Sequence, residues 1–289
     1  MKRTKAYTLT ELLVAMTIVL VLAGLFVPLL IQAKEEAKET ACAMNFKQVY
    51  FASTIYQVDY DDKYVVPKYA VLEVESSEKD RTWVQLIAPY LRNVQVTRCP
   101  SDYTQSSGID PVFDPDLVFG ADAERFYQAS MRANTGFNFV NLSPMVLEAG
   151  NVWTARPRSS TEPQDPARTL VFGDSVWTVT ADGRPTGGGS YLIIPPCRIY
   201  AKDGADSFGL SGFQDDKVYT SSQAWDDSTK PQSTNFGGLW PWHTGRLNCV
   251  MADGSVKSRT VKQVSDGCKV KPNWEGKIID SGKYLWDLR

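Results

Sequence analysis

The sequence predicts an α+β fold: one long N-terminal helix, membrane-spanning and then amphipathic, packed on a β-rich, mainly antiparallel globular head. Three observations carry that prediction. Leu12 to Ile31 is a run of twenty residues without a charge. Neither Pro nor Gly interrupts the chain from Gln32 to Tyr64. Nearly all the Gly and Pro fall in residues 63–289, among short β-compatible runs divided by turn dipeptides.

The apolar run matches the ~20 residues a helix needs to cross a hydrocarbon core of roughly 30 Å. Lys2, Arg3 and Lys5 precede it, and such bases stay in the cytoplasm. The predicted topology is therefore a single span, with the N-terminus inside and the head exported. A cleavable secretory signal fits poorly, because its apolar stretch is roughly 7–15 residues and Ile31-Gln32-Ala33 is a weak cleavage site. A plain signal anchor explains the length and the charges. Neither reading explains Glu11, a carboxylate at the mouth of the apolar run that is costly to bring into lipid.

Beyond the span, Lys34-Glu35-Glu36-Ala37-Lys38-Glu39 reads as a solvated helical stretch with opposite charges at helical spacing, such as Glu35 and Lys38. Ala41, Met44, Phe51, Ile55 and Val58 recur on one helical face, which predicts the surface that packs on a sheet. One helix from about Tyr7 to about Tyr60 accounts for all of this, roughly 80 Å long at 1.5 Å per residue.

In the head, Trp83–Ile87, Thr169–Phe172, Tyr191–Ile194, Leu247–Ala252 and Ser255–Val261 read as strands. Asp182-Gly183, Asp203-Gly204 and Asp253-Gly254 read as turns. Ser101–Asp116, Ala155–Pro166 and Asp203–Gly238 are loop-rich. Residues 63–289 are numerous enough to bury a core without staples.

Charge and composition exclude several functions. With 31 Lys+Arg against 33 Asp+Glu, the net charge is −2, which argues against a nucleic-acid partner. The lone histidine, His243, excludes any multi-histidine metal site or two-histidine mechanism. Nine residues separate it from Asp253-Gly254. This element reads as a β-hairpin entered by a hydrogen-bonded histidine, as a catalytic His243–Asp253 pair, or as a ligand or protein contact. The hairpin is favoured, since Asp-Gly between alternating apolar residues is a strong turn signal and no nucleophile motif accompanies the pair.

The acid pairs Asp61-Asp62, Asp215-Asp216 and Asp226-Asp227 offer oxygens to Ca²⁺, although none forms a recognisable calcium loop. No other cofactor is expected. Gly187-Gly188-Gly189 lacks the lysine of a phosphate cradle and reads as a turn. Trp225, Trp240 and Trp242 are candidates for a sugar-stacking face, or for core and rim. Five cysteines, Cys42, Cys99, Cys197, Cys249 and Cys268, follow the span and so face an oxidising compartment. Two bridges among them can be drawn in fifteen ways.

Tyr7-Thr8-Leu9-Thr10-Glu11-Leu12-Leu13-Val14-Ala15 resembles the class III signal of type IV prepilins and type II secretion pseudopilins. The resemblance implies cleavage between Ala6 and Tyr7 by a prepilin peptidase and N-methylation of Tyr7. It also implies that Glu11 pairs with the N-terminal amine of a neighbouring subunit, and that Pro28, one turn after Gly24, loosens the helix. A buried carboxylate is tolerable when such a partner charge is supplied. The implied organisation is a cleaved leader (1–6), a transmembrane and filament-core helix (7–31), its amphipathic continuation (32–62) and the head (63–289). Loss of the leader removes three bases and no acid, taking the net charge to −5.

Cys42-Ala43-Met44-Asn45-Phe46-Lys47-Gln48, Cys99-Pro100-Ser101-Asp102, the strand ending Phe172-Gly173-Asp174, and His243 with Asp253-Gly254 are similar to the signatures of a large group of pseudopilin-like proteins. That resemblance implies a structural subunit and not an enzyme. It would assemble through its helix into a type IV pilus or type II secretion filament, at a minor or tip position because the head is large. The implied partners are prepilin peptidase, copies of itself or other pilin-like subunits, and the inner-membrane assembly platform. The implied location is the bacterial inner membrane, single-pass. Because both lie in these motifs, Cys42 and Cys99 are the disulfide candidate, tying stalk to head. The alternative is a membrane-anchored binding protein, with glycan as a candidate ligand, that does not polymerise.

Overall fold

The computed structural model describes residues 8–69, 81–104, 126–127, 129–148, 152–180, 182–202, 205–208, 237–270 and 276–288. A single helix, Leu9–Asp59, runs for 51 residues, about 77 Å at the α-helical rise. Thr8 caps its start in a capping box with Glu11. The helix passes straight through Pro28. Pro28 has no N–H to give the carbonyl of Gly24 four residues earlier, and Gly24 has open space where a Cβ would stand. Thr17 returns its hydroxyl to the carbonyls of Leu13 and Val14, at 3.0 and 2.8 Å, so the apolar run carries no free hydroxyl there.

The two halves of the helix differ in their surroundings. Residues 8–34 are all exposed, and no described residue of the head covers them. The second half buries Cys42, Phe46, Val49, Ala52, Ser53, Tyr56 and Gln57 against the head. The apolar stripe expected to face the sheet instead faces outward: Met44 is 55% exposed, Phe51 63%, Ile55 50% and Val58 72%. The buried face carries its own apolar stripe, Cys42, Phe46, Val49, Ala52 and Tyr56, and polar contacts tie it to the head. Glu39 accepts from Ser258 Oγ at 2.7 Å, the Cys42 thiol donates to Asp174 at 3.3 Å, and Tyr50 OH donates to the Ala252 carbonyl at 2.6 Å. Small Ala52 and Ser53 let the head approach closely.

Four antiparallel strands form the main sheet, in the order Val256–Arg259, Leu247–Met251, Leu170–Asp174, Thr135–Phe137. The two central strands are buried along their whole length. Val250 faces one core with Phe46, Val49, Trp83, Phe137 and Phe172, beneath the stalk. Cys249 and Met251 face a second core with Leu170, Ile193, Leu239 and Trp286. The expected hairpin is present: Leu247 pairs with Arg259 and Val250 with Val256 around Asp253-Gly254. A second sheet joins Ala205–Phe208, Cys197–Lys202, Gly276–Ile278 and Cys268–Lys269, parallel only between Gly276–Ile278 and Cys197–Lys202.

Trp83–Ile87, read as a strand, is a short helix, because Thr82 and Gln85 close a capping box at its start. Among the described residues, Tyr191–Ile194 contributes a single bridge, Leu192–Phe137. The turn Asp203-Gly204 lies outside the described residues.

Covalent stapling also differs from expectation. The disulfide joins Cys197 to Cys268, within the second sheet. Cys42 and Cys99 meet, as the resemblance implied, but as two free buried thiols.

Candidate functional site

The N-terminal site is built on the exposed half of the helix. Ala6 and Tyr7 lie outside the described residues. Glu11 folds back on Thr8: its Oε2 accepts from the Thr8 amide and the Thr8 hydroxyl, both at 2.8 Å. In the single chain the carboxylate is thus held at the helix N-terminus, where the helix dipole favours an anion. It is exposed and available to a cation from outside.

The second site lies where stalk and head meet. Cys42 comes from the helix, and Cys99 from the chain after the 3₁₀ turn Val94–Thr97. Asp174 ends a buried central strand, and His243 sits in the turn that enters the hairpin. One ligand atom of each lies within 4.8 Å of every other. All four residues are buried, with Asp174 at 0% and His243 at 2% exposure. Cys42 Sγ stands 3.3 Å from Asp174 Oδ1, His243 Nε2 stands 3.4 Å from Asp174 Oδ2, and Cys99 Sγ stands 3.6 Å from His243 Nε2.

A further layer orients these groups. Asp174 Oδ2 accepts the Asn248 amide at 2.6 Å, and the Cys99 amide donates to Asn134 Oδ1 at 3.0 Å. His243 Nδ1 is 3.4 Å from Ser101 Oγ, and that hydroxyl reaches Glu35 of the stalk at 3.5 Å.

Electrostatics couples the four. Hydrogen bonding with Cys99, then burial and the Asp174 charge, pushes the Cys42 thiol well up. The same bond from Cys42 lowers Cys99 against its burial, helped by His243. Burial alone would lower His243, but its bonds to Asp174 and Cys99 and their charges raise it to about 10. Cys249, the remaining free thiol, is pushed up by burial.

A catalytic dyad of the lone histidine with Asp253 does not form. His243 is buried at the stalk junction, whereas Asp253 is exposed and accepts from Ser255 N and Oγ at 2.9 and 2.6 Å. The histidine's carboxylate partner is Asp174, the residue sequence reasoning missed as a site member. Its signal was an acid ending an otherwise apolar strand, Leu170-Val171-Phe172-Gly173-Asp174. Gly254 has a role of its own, since φ is +79° and a Cβ there would meet the Tyr50 ring at 2.6 Å.

Trp242 is buried, and its indole donates to the Ser175 carbonyl at 2.9 Å. Trp225, Asp215-Asp216 and Asp226-Asp227 lie outside the described residues. Asp61 and Asp62 take positive φ, 52° and 56°, where the chain turns off the helix. Gly187–Gly189 form a turn under Arg132, which donates to the Gly187 carbonyl at 3.0 Å and stacks on Trp177.

Compared with known proteins, residues 1–27 match the model of the prokaryotic N-terminal methylation motif. This match supports a type IV pilin-like protein whose N-terminus is processed by a prepilin peptidase. No curated protein and no solved structure matches the chain.

Proposed function

We propose that the protein is a pilin-like structural subunit, not an enzyme, that polymerises through its N-terminal helix in a type IV pilus or type II secretion filament. The carrying observation is the methylation motif at residues 1–27 running without a break into a 51-residue helix whose first half no described residue of the head covers. An apolar helix fully exposed in the single chain needs lipid before assembly and neighbouring helices after it. Tyr7 becomes the methylated N-terminus once Ala6 is removed, and Glu11, four residues on, meets the amine of an adjacent subunit. Gly24 and Pro28 supply the compliance needed to pack in a filament. The outward stripe of Met44, Phe51, Ile55 and Val58 extends the same apolar surface beyond the membrane. The size of the head favours a minor or tip position. In this reading the N-terminus starts in the cytoplasm, the head is periplasmic or extracellular, and the partners are related pilin-like subunits and the inner-membrane assembly platform.

Two measurements test the proposal. Intact-mass and N-terminal analysis of the membrane-extracted protein should show a chain that begins at N-methylated Tyr7. A chain that retains its initiator methionine overturns the reading. Glu11→Ala should leave the protein in the membrane and remove it from sheared filaments. If wild type and variant are both absent from filaments, the non-polymerising anchor replaces the subunit.

A further inference from the structure

We propose that Cys42, Cys99, Asp174 and His243 form a structural zinc site that locks the stalk helix onto the head. The donor set is two sulfurs, one imidazole and one carboxylate, a combination that suits zinc and not a hard cation such as calcium. One ligand atom of each lies within 4.8 Å of every other, close enough to share one cation. With Zn–S about 2.3 Å and Zn–N or Zn–O about 2.05 Å, tetrahedral edges are about 3.6 Å between sulfur and N or O, and about 3.4 Å between N and O. The separations are 3.6 Å for Cys99 Sγ with His243 Nε2, 3.4 Å for His243 Nε2 with Asp174 Oδ2, and 3.3 Å for Cys42 Sγ with the other carboxylate oxygen, Asp174 Oδ1, so a small turn of the carboxylate brings one oxygen to the shared focus.

The direction of convergence separates this site from a catalytic one. In a Cys–His–Asp nucleophile system the thiol sits at one imidazole nitrogen and the carboxylate at the other. Here the Cys99 thiol and Asp174 both face Nε2, and Nδ1 is turned to Ser101. A shared focus at one nitrogen is what a common cation requires. Nδ1–H then donates to Ser101, whose hydroxyl reaches Glu35, and this fixes the tautomer as outer partners of zinc-bound histidines do. The Asn248 amide performs the same service for Asp174. Burial of all four ligands leaves no open position for a substrate, the mark of a structural centre.

A Cys42–Cys99 disulfide is the competing outcome for the two thiols. It would leave Asp174 and His243 buried around a bridge that neither can ligate. Zinc uses all four and joins segments 132 and 144 residues apart in sequence.

The test is metal analysis of the full chain, extracted in detergent without chelator or histidine tag. Wild type should carry about one zinc per chain, as a four-ligand structural centre does. Cobalt exchanged into the same protein should give tetrahedral d–d bands with a thiolate charge-transfer band. Cys99→Ser and His243→Ala should lose the zinc, and Cys249→Ser, a buried thiol outside the cluster, should keep it. Should either ligand variant misfold, the wild-type zinc content and cobalt spectrum decide alone. Metal-free wild type with Cys42 and Cys99 bridged or freely alkylated overturns the proposal, as does zinc that persists in a folded ligand variant.

Discussion

Gly254 lies against the ring of Tyr50, so that the turn of the hairpin touches the stalk helix with backbone alone. A Cβ at 254 would come within 2.6 Å of Tyr50 Cε1, and φ there is +79°. The Tyr50 hydroxyl reaches past the turn to the Ala252 carbonyl, 2.6 Å away. The glycine is therefore required twice, once by its backbone conformation and once by its neighbour. Ten positions upstream of Asp253, His243 enters the cluster to which the same helix contributes Cys42. Both ends of the hairpin signature are thus spent on holding the stalk.

Gly254→Ala should lower the unfolding free energy by about 2–3 kcal/mol, combining left-handed strain with the clash. Tyr50→Ala removes the clash but not the strain, so Gly254→Ala should cost less in that background. Urea unfolding of the four-protein cycle measures the difference. Strictly additive costs would show that the ring and the turn do not interact.

Much of this was legible beforehand, and the failures share a cause. The apolar N-terminal segment, its continuous helix and the Asp-Gly hairpin are periodic or local signals, and each takes the expected secondary structure. The stalk carries two apolar stripes, one through Phe51 and Ile55 and one through Phe46 and Val49, so hydropathy alone does not choose between them; the second is the one that also brings Cys42, Tyr50 and Glu39 to partners in the head. The resemblance pairs Cys42 with Cys99, and His243 stands out by itself as the lone histidine, but nothing in the sequence joins the three. Their convergence, and the membership of Asp174, depend on pairings between distant segments that no local pattern encodes.

The two faces of the stalk should respond oppositely to substitution. Phe46 is 2% exposed, and Phe46→Ala should cost about 3–5 kcal/mol through the cavity it leaves. Ile55 is 50% exposed, and Ile55→Ser should cost about 0.5 kcal/mol or less. On the proposed function, Ile55→Ser should nevertheless reduce recovery in sheared filaments, because the outward stripe meets neighbouring subunits. Denaturant melts of the extracted protein, paired with filament yields, check both halves; a stable variant with full yield would free the stripe from any assembly role.

In chelator-treated, metal-free protein, Asp174→Asn isolates the charge at the stalk junction. The amide keeps an oxygen for the Asn248 N–H, bonded at 2.6 Å, and retains nearly the same volume. It removes the carboxylate that faces His243 at 3.4 Å, leaving the imidazole buried without its anion. Removing one member of a buried charge pair typically costs about 3–5 kcal/mol, and a loss of that size is expected in chemical unfolding. A near-neutral result would mean that the histidine stays uncharged and that the carboxylate is dispensable to the junction.

Cys197 and Cys268 staple the second sheet at a separation of 71 residues. Gly276 makes room for them, since a Cβ there would meet Cys197 Sγ at 2.5 Å. A bridge closing a loop of this length restricts the unfolded chain, and its removal costs about 2–4 kcal/mol. The double variant Cys197→Ser/Cys268→Ser should show that loss in urea, and reductant should reproduce it in the wild type but not in the variant. Peptide mapping without reduction should recover residues 197 and 268 in one linked fragment. Reductant sensitivity that survives in the double variant would place a second bridge among Cys42, Cys99 and Cys249, and would move the covalent tie from the edge of the head to its stalk.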